Sequence, residues 1–213
     1  GCKDQPFLLH VHWTIPHANN EGGRVYGDGM EVPDYGPYEK RDWKNTSKGQ
    51  AAMVTWMDRD VGRLLDLLRE LKIDHRTLVV FTSDNGPHSE GGHKHEVFDA
   101  NGPLRGFKRD LYEGGIRVPT IAWWPGVVEA GTTCSEPLAF WDFLPTACQL
   151  AGAVVGSSID GISFVDALRG KEQRSQETRR AGVTKEKNKP RTGERERKRA
   201  MVYQVVYFLS ILC

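Results

Sequence analysis

The sequence predicts an α/β sandwich, and three observations predict it. Short runs rich in β-branched and aromatic residues stop at clusters of turn-forming residues. One long segment repeats its apolar residues at helical spacing. The order along the chain is strand, helix, strand, strand, helix, which suits a sheet covered by helices.

The elements follow in order. Residues 6–13, PFLLHVHW, are apolar and aromatic and predict a buried strand. Residues 14–48 are dense in Gly, Pro, Asn and Asp and predict a loop of over thirty residues, a length usually tied to function or to disorder. Residues 49–71 place Met53, Met57, Val61, Leu64, Leu68 and Leu71 at steps of three and four, one face of an amphipathic helix ended by Asp74 and His75. TLVVFT, residues 77–82, predicts a second buried strand, halted by Ser83-Asp84-Asn85-Gly86-Pro87. A polar, His-rich loop runs to about residue 104. Val118 to Trp124 predicts a third strand closed by Pro125-Gly126, and 140–151 predicts a short helix stopped at Gly152.

Composition divides the 213 residues in two. Residues 171–199 carry 12 Lys/Arg against 5 Asp/Glu, whereas the rest carries 17 against 23, so the formal charge of +1 averages an acidic body and a basic tail. The expected division is 1–170, a catalytic-type α/β body, and 171–213, a disordered basic low-complexity tail with a short apolar end. So abrupt a change is what a shifted reading frame would produce. The basic run could attract nucleic acid or anionic lipid, but it lacks the interleaved aromatics that stack on bases, so no specific nucleic-acid partner is expected. MVYQVVYFLSILC is too short to span a bilayer, and no membrane span is expected elsewhere. Cys2, Cys134, Cys148 and Cys213 form no CxxC pair, which disfavours a zinc knuckle or a disulfide scaffold.

Four residues are candidates for chemistry. Asp84 and Asn85 end a buried strand, where open α/β sheets place ligands, and offer hard oxygen donors for Ca²⁺ or Mg²⁺; read alone, a plain Asp-Asn-Gly turn with no metal is the simpler account. Lys108 lies in LRGFKRDLYEGGIRVP, whose glycines permit close backbone approach and whose cations could hold an anionic oxygen; a solvated basic hairpin is the alternative. His17 follows the first strand, where a His can donate to an anion or simply serve structure. His88, His93 and His95 invite a zinc reading, but they sit on a Gly-rich loop without the i, i+4 presentation of a metal-binding helix.

Taken together, PFLLHVHWTIPHANN, LVVFTSDNGPH, GPLRGFKRDLYEGGIRVPTIAWWPG, FWDFLPTACQLAG and DGISF resemble the sulfatase family, the arylsulfatase-like enzymes of the alkaline-phosphatase superfamily, across residues 6–170. The resemblance implies a partial alkaline-phosphatase-like sandwich, a mixed sheet flanked by helices. It implies one Ca²⁺ site, half of its ligands being Asp84 and Asn85. Lys108 matches the lysine that contacts the sulfate ester and the surroundings of the metal, and His17 the histidine that hydrogen-bonds the sulfate or its leaving oxygen. Both are expected to bind substrate and to act in catalysis. Asn85 suits a single oxygen-ligated Ca²⁺, where phosphodiesterase-like relatives usually carry His for a second metal.

The sequence departs from the family at the nucleophile. A formylglycine, made from Cys or Ser in C/S-x-P-x-R, is expected in an intact member, and no such motif occurs in these 213 residues. The first strand's paired Asp ligands are absent too. The expectation is therefore the second half of the catalytic domain, a fragment of a sulfuric ester hydrolase without turnover by itself. Its partner would be a sulfate ester, an aryl sulfate or a sulfated glycan. The alternative is a non-catalytic sulfatase-like module that binds sulfated glycan or another partner; a phosphatase of the same superfamily is a third reading. The resemblance suggests a periplasmic, extracellular or lysosomal setting, where Ca²⁺ is plentiful.

Overall fold

The structure is a computed structural model, and it describes residues 5–156, 158–171 and 207–212. Two compact units divide the chain, one formed by residues up to Ala122 together with the chain end, the other beginning at Trp123.

The first unit is built on a four-stranded sheet in the order β1-β4-β2-β3: β1 is Leu8–Trp13, β2 Leu78–Ser83, β3 Thr120–Trp123 and β4 Tyr207–Leu212. β4 pairs antiparallel with both β1 and β2, so Leu9 and Val79 face Ile211 from either side and β1 and β2 run the same way. The strands at 6–13, 77–82 and 118–124 are all present. Their burial is unequal. β2 is buried along nearly its whole length, as its unbroken apolar run requires. β1 is not the buried strand its composition predicts. It lies at the sheet edge, with Leu8 49% and Leu9 41% exposed, because no described element covers its outer faces. β4 comes from the apolar end of the basic segment. Its Ile211 is buried, which contributes about 1.5–3 kcal/mol. The remainder of the tail, whose disorder the composition suggests, lies outside the described residues.

The long helix α2 spans Asn45–Glu70. Its buried face includes Met53, Met57 and Leu68 of the predicted stripe and Ala52 outside it, whereas Leu71 falls past the helix end and is exposed. Gly49 allows α2 to close on the chain: a Cβ there would lie 1.9 Å from the Met30 carbonyl oxygen. Met30, Ala18 and Met53 form a small core, with Ile15 and Val32 packed against it.

The loop expected over 14–48 is instead partly helical. α1 spans Asn20–Tyr26, started by Asn19 Oδ1 accepting from the Gly22 amide and stopped by left-handed Gly27, whose N–H bonds the Gly23 carbonyl. A single 3₁₀ turn follows at Gly36–Tyr38. Two capping residues and the close approach of α1 to Gly29 and Gly91 offset the low helix propensity of NEGGRVY.

The second unit holds α4, Phe143–Leu150, and α5, Val165–Leu168; the short α3, Glu113–Ile116, belongs to the first. Asp142 organises this unit. Its buried carboxylate accepts from the Ala139 amide at 2.8 Å and from the Ile162 amide at 2.7 Å. Thr146 donates to the Asp142 carbonyl and accepts from the Phe164 amide, which ties α4 to the DGISF segment. The helix predicted over 140–151 is a 3₁₀ turn running into α4. Among the described residues no helix is long and apolar enough to cross a membrane.

Candidate active site

Three separate segments meet at the carboxyl end of β2. The turn that follows β2 carries Asp84 and Asn85, and it packs backbone against backbone on α3. The Gly86 amide donates to the Gly115 carbonyl at 2.9 Å, and a Cβ on Gly86 would lie 1.9 Å from the Gly114 oxygen. Gly114 and Gly115 are packed as closely, against the carbonyls of Gly106 and Asp110. The glycines of SDNG and YEGG are therefore two halves of one contact. Next to it, the Lys108 amide donates to the Pro87 carbonyl at 2.7 Å, which sets Lys108 beside the Asp84-Asn85 turn.

The Lys108 ammonium is buried, 6% exposed, and its Nζ lies 3.2 Å from Nε2 of His17, a residue 91 positions away. The partners assign the protons. His17 Nδ1 lies 2.7 Å from the Ala18 carbonyl oxygen, which can only accept, so Nδ1 donates. Nε2 then accepts from Lys108, and His17 is a neutral imidazole in this arrangement. The other cations of the Lys108 segment are engaged elsewhere: Arg105 stacks on Tyr112 at 3.6 Å, and Arg117 pairs with Glu113. Lys108 alone of the four is turned inward, which separates it from a solvated basic hairpin.

Sequence reasoning missed Glu90. Its carboxylate accepts from Lys108 at 2.8 Å through Oε2 and from Arg109 through Oε1, at 2.9 Å from Nε and 2.5 Å from the second nitrogen. Burial opposes its ionised form, but the hydrogen bonds and charges of Lys108 and Arg109 prevail and hold the carboxyl below its ordinary range. A single acidic residue in a Gly- and His-rich loop carries no sequence signal of a partner eighteen positions on.

The three histidines of that loop fold it. His88 Nε2 donates to the Pro16 carbonyl at 3.1 Å, and its Nδ1 accepts from the Glu90 amide at 3.2 Å, so one ring joins the His17 segment to the Glu90 segment. Burial, helped by the Lys108 charge, lowers its pKa against the opposing pull of the Pro16 carbonyl. His93 is pushed down to about 4, first by burial and then by His88 and His95. Its ring stacks on Phe98, and that of His95 stacks on Phe107. Among the described residues no group of three or more His, Cys, Asp or Glu converges on a point.

Asn85 bears on the metal question. Its Nδ2 donates to the Gly86 carbonyl at 2.8 Å, which turns Oδ1 the other way, and that oxygen is buried without a hydrogen-bond partner among the described residues. A buried oxygen left so costs about 1–3 kcal/mol. A hard cation would satisfy it, and the adjacent Asp84 carboxylate supplies the charge such an ion needs. The donors present thus fit one side of an oxygen-ligated cation site.

The sulfatase family model matches residues 2–153. Human steryl-sulfatase is 37% identical over 185 residues, covering 81% of this chain and 28% of its own length. Mouse steryl-sulfatase is 42% identical over 187 residues, 82% of this chain and 26% of its own. Canine N-acetylgalactosamine-6-sulfatase is 37% identical over 180 residues, 79% of this chain and 30% of its own. The chain therefore spans under a third of the length of these curated relatives. Among solved structures, Ps i-CgsB superposes with a TM-score of 0.60 at 33% identity over 68% of this chain and 31% of that one. The same protein in complex with k-i-k-neocarrahexaose gives 0.59 at 32% identity, over 67% and 31%. The motifs, their meeting at the end of β2 and these likenesses place the chain in the sulfatase family, with the mixed α/β architecture of an alkaline-phosphatase-like fold.

Proposed function

We propose that this chain is part of a sulfuric ester hydrolase and carries the anion-binding half of its active site. The observation behind the reading is the Lys108–His17 contact at 3.2 Å, beside the turn that holds Asp84 and Asn85. Lys108 and His17 bind the sulfate group. Lys108 has three donors, of which Glu90 and His17 take two, and the third is left for a sulfate oxygen. His17 Nε2, once released by Lys108, can carry a proton at the leaving oxygen, the role of a general acid. Asp84 and Asn85 are the ligands this chain would lend to Ca²⁺, and a bound divalent cation supplies electrostatic stabilisation of an anionic oxygen.

The formylglycine of the family has no counterpart here. Cys134 and Cys148 are free, the first exposed, and neither begins a C/S-x-P-x-R motif. No nucleophilic step is therefore assigned to these residues, and the chain by itself is expected to bind without turnover. Its substrates are sulfate esters, aryl sulfates or sulfated glycans; the relatives named above act on differing ones, and no residue of this site chooses among them. Periplasm, extracellular space or lysosome is the setting that suits a Ca²⁺-dependent member of the family.

The test is a titration of the 213-residue chain with methyl sulfate, followed by NMR on the His17 ring and the Lys108 ammonium, and repeated with Ca²⁺ on wild type and Asn85→Ala. Shifts at both residues that vanish in Lys108→Ala, with Ca²⁺ affinity lowered by Asn85→Ala, support the reading. Unchanged shifts in Lys108→Ala refute the anion site. Sulfate release above a Lys108→Ala control would refute the absence of turnover.

A further inference from the structure

The charges around Lys108 carry an inference about which esters the site accepts. Lys108 and Arg109 bring two positive charges, Glu90 one negative charge, and His17 none, so the group presents a single net positive charge. The neighbouring turn adds the Asp84 carboxylate, whose oxygens suit a cation. Glu90 is no bystander on the surface. Its side chain is 14% exposed and clasped between two cations, of which Arg109 is itself 70% exposed. Its backbone is held as well, through the His88 ring that also fixes Pro16 next to His17. An anion that takes the third donor of Lys108 must approach an ionised carboxylate already bonded to the same nitrogen.

That carboxylate affects different esters differently. A sulfate monoester carries one negative charge at neutral pH, whereas a phosphate monoester carries nearly two. Repulsion from Glu90 falls twice as heavily on the dianion, while size and tetrahedral shape hardly distinguish the two.

We propose that Glu90 is a specificity-determining residue, a fixed negative charge on the nitrogen that binds the anion, which cuts the electrostatic advantage a dianionic phosphate ester would hold over a monoanionic sulfate ester. The proposal rests on the sulfate reading of the same site. The informative quantity is a ratio of affinities, because any general loosening of the site weakens both ligands and cancels.

The experiment titrates the 213-residue chain with methyl sulfate and with methyl phosphate at about pH 8, where the phosphate is dianionic, and follows His17 and Lys108 by NMR. Glu90→Gln keeps the shape and removes the charge, and is expected to raise the phosphate-to-sulfate affinity ratio by about tenfold. Arg109→Ala removes an exposed cation and leaves Glu90 less compensated; the same ratio is expected to fall by about threefold. A ratio unchanged in folded Glu90→Gln overturns the proposal. Should Glu90→Gln fail to fold, Arg109→Ala decides alone, and an unchanged ratio there overturns it equally. Methyl sulfate binding that survives Lys108→Ala overturns the sulfate reading, and the Glu90 assignment falls with it. A lost ratio effect with Lys108-dependent binding intact overturns Glu90 only.

Discussion

Replacing Gly86 by Ala tests whether the site depends on the contact between the Asp84-Asn85 turn and α3. The backbone of Gly86 is buried, and its amide bonds the Gly115 carbonyl at 2.9 Å. A new Cβ would sit 1.9 Å from the Gly114 oxygen, 2.9 Å from its carbonyl carbon and 3.2 Å from the Gly115 Cα. All three are backbone atoms that no rotamer change can move aside. To restore even a 3.0 Å contact, the turn and α3 must part by about 1.1 Å. Overpacking of this kind costs about 1–3 kcal/mol of stability. The effect on the site is larger, because Lys108 is anchored by its amide to Pro87, one residue after Gly86. A displacement of about 1 Å between groups that must act together costs on the order of a hundredfold. The assay pairs urea denaturation with methyl sulfate titration at His17. Gly86→Ala is expected to lower stability by about 2 kcal/mol and to weaken methyl sulfate by at least tenfold, with Gly86→Ser similar. A folded Gly86→Ala chain with wild-type affinity would show that the turn and α3 need not touch for the site to form.

Two further outcomes are expected. In the second unit, Asp142→Ala strands the Ala139 and Ile162 amides and should cost about 3 kcal/mol, at about 1.5 kcal/mol or more for each bond to a carboxylate. Asp142→Asn, which keeps one acceptor, should fall between, and equal urea midpoints for all three chains would contradict the assignment. The second outcome concerns pH. The His93 pKa is depressed in the folded state, from 6.5 to about 4. Folding therefore favours the neutral ring, so its stabilisation is complete above pH 6.5 and is lost as pH falls toward 4, by on the order of 3 kcal/mol. His93→Gln should flatten that acid limb in urea midpoints measured across the range, and an unaltered limb would place the titration elsewhere.

The local elements were legible because local rules decide them. The run TLVVFT makes β2 whatever surrounds it, and the stripe from Met53 to Leu68 makes α2. Asp84, Asn85, Lys108 and His17 were legible as candidates through motifs and family resemblance. The structure brings His17, Lys108 and the turn bearing Asp84 and Asn85 together through bonds at 3.2 Å and 2.7 Å. α1 was overlooked because NEGGRVY has poor propensity. Its signal was the pair of stops, Asn19 and Gly27, which a composition count treats as loop residues.

What the sequence by itself determined is therefore the inventory: three of the four strands, the long helix, the family and the oxygen and nitrogen donors available for an anion and a cation. Tertiary structure alone decided which of them count. It turned Lys108 inward while Arg105 and Arg117 found other partners, and it drew Glu90 against both Lys108, eighteen residues on, and Arg109. It also laid the apolar chain end between β1 and β2, strands some seventy residues apart, and left β1 at an exposed edge. The reason is the same in each case. Propensity and periodicity act over a few residues, whereas burial, charge pairing and strand pairing are set by which distant segments share the same few ångströms.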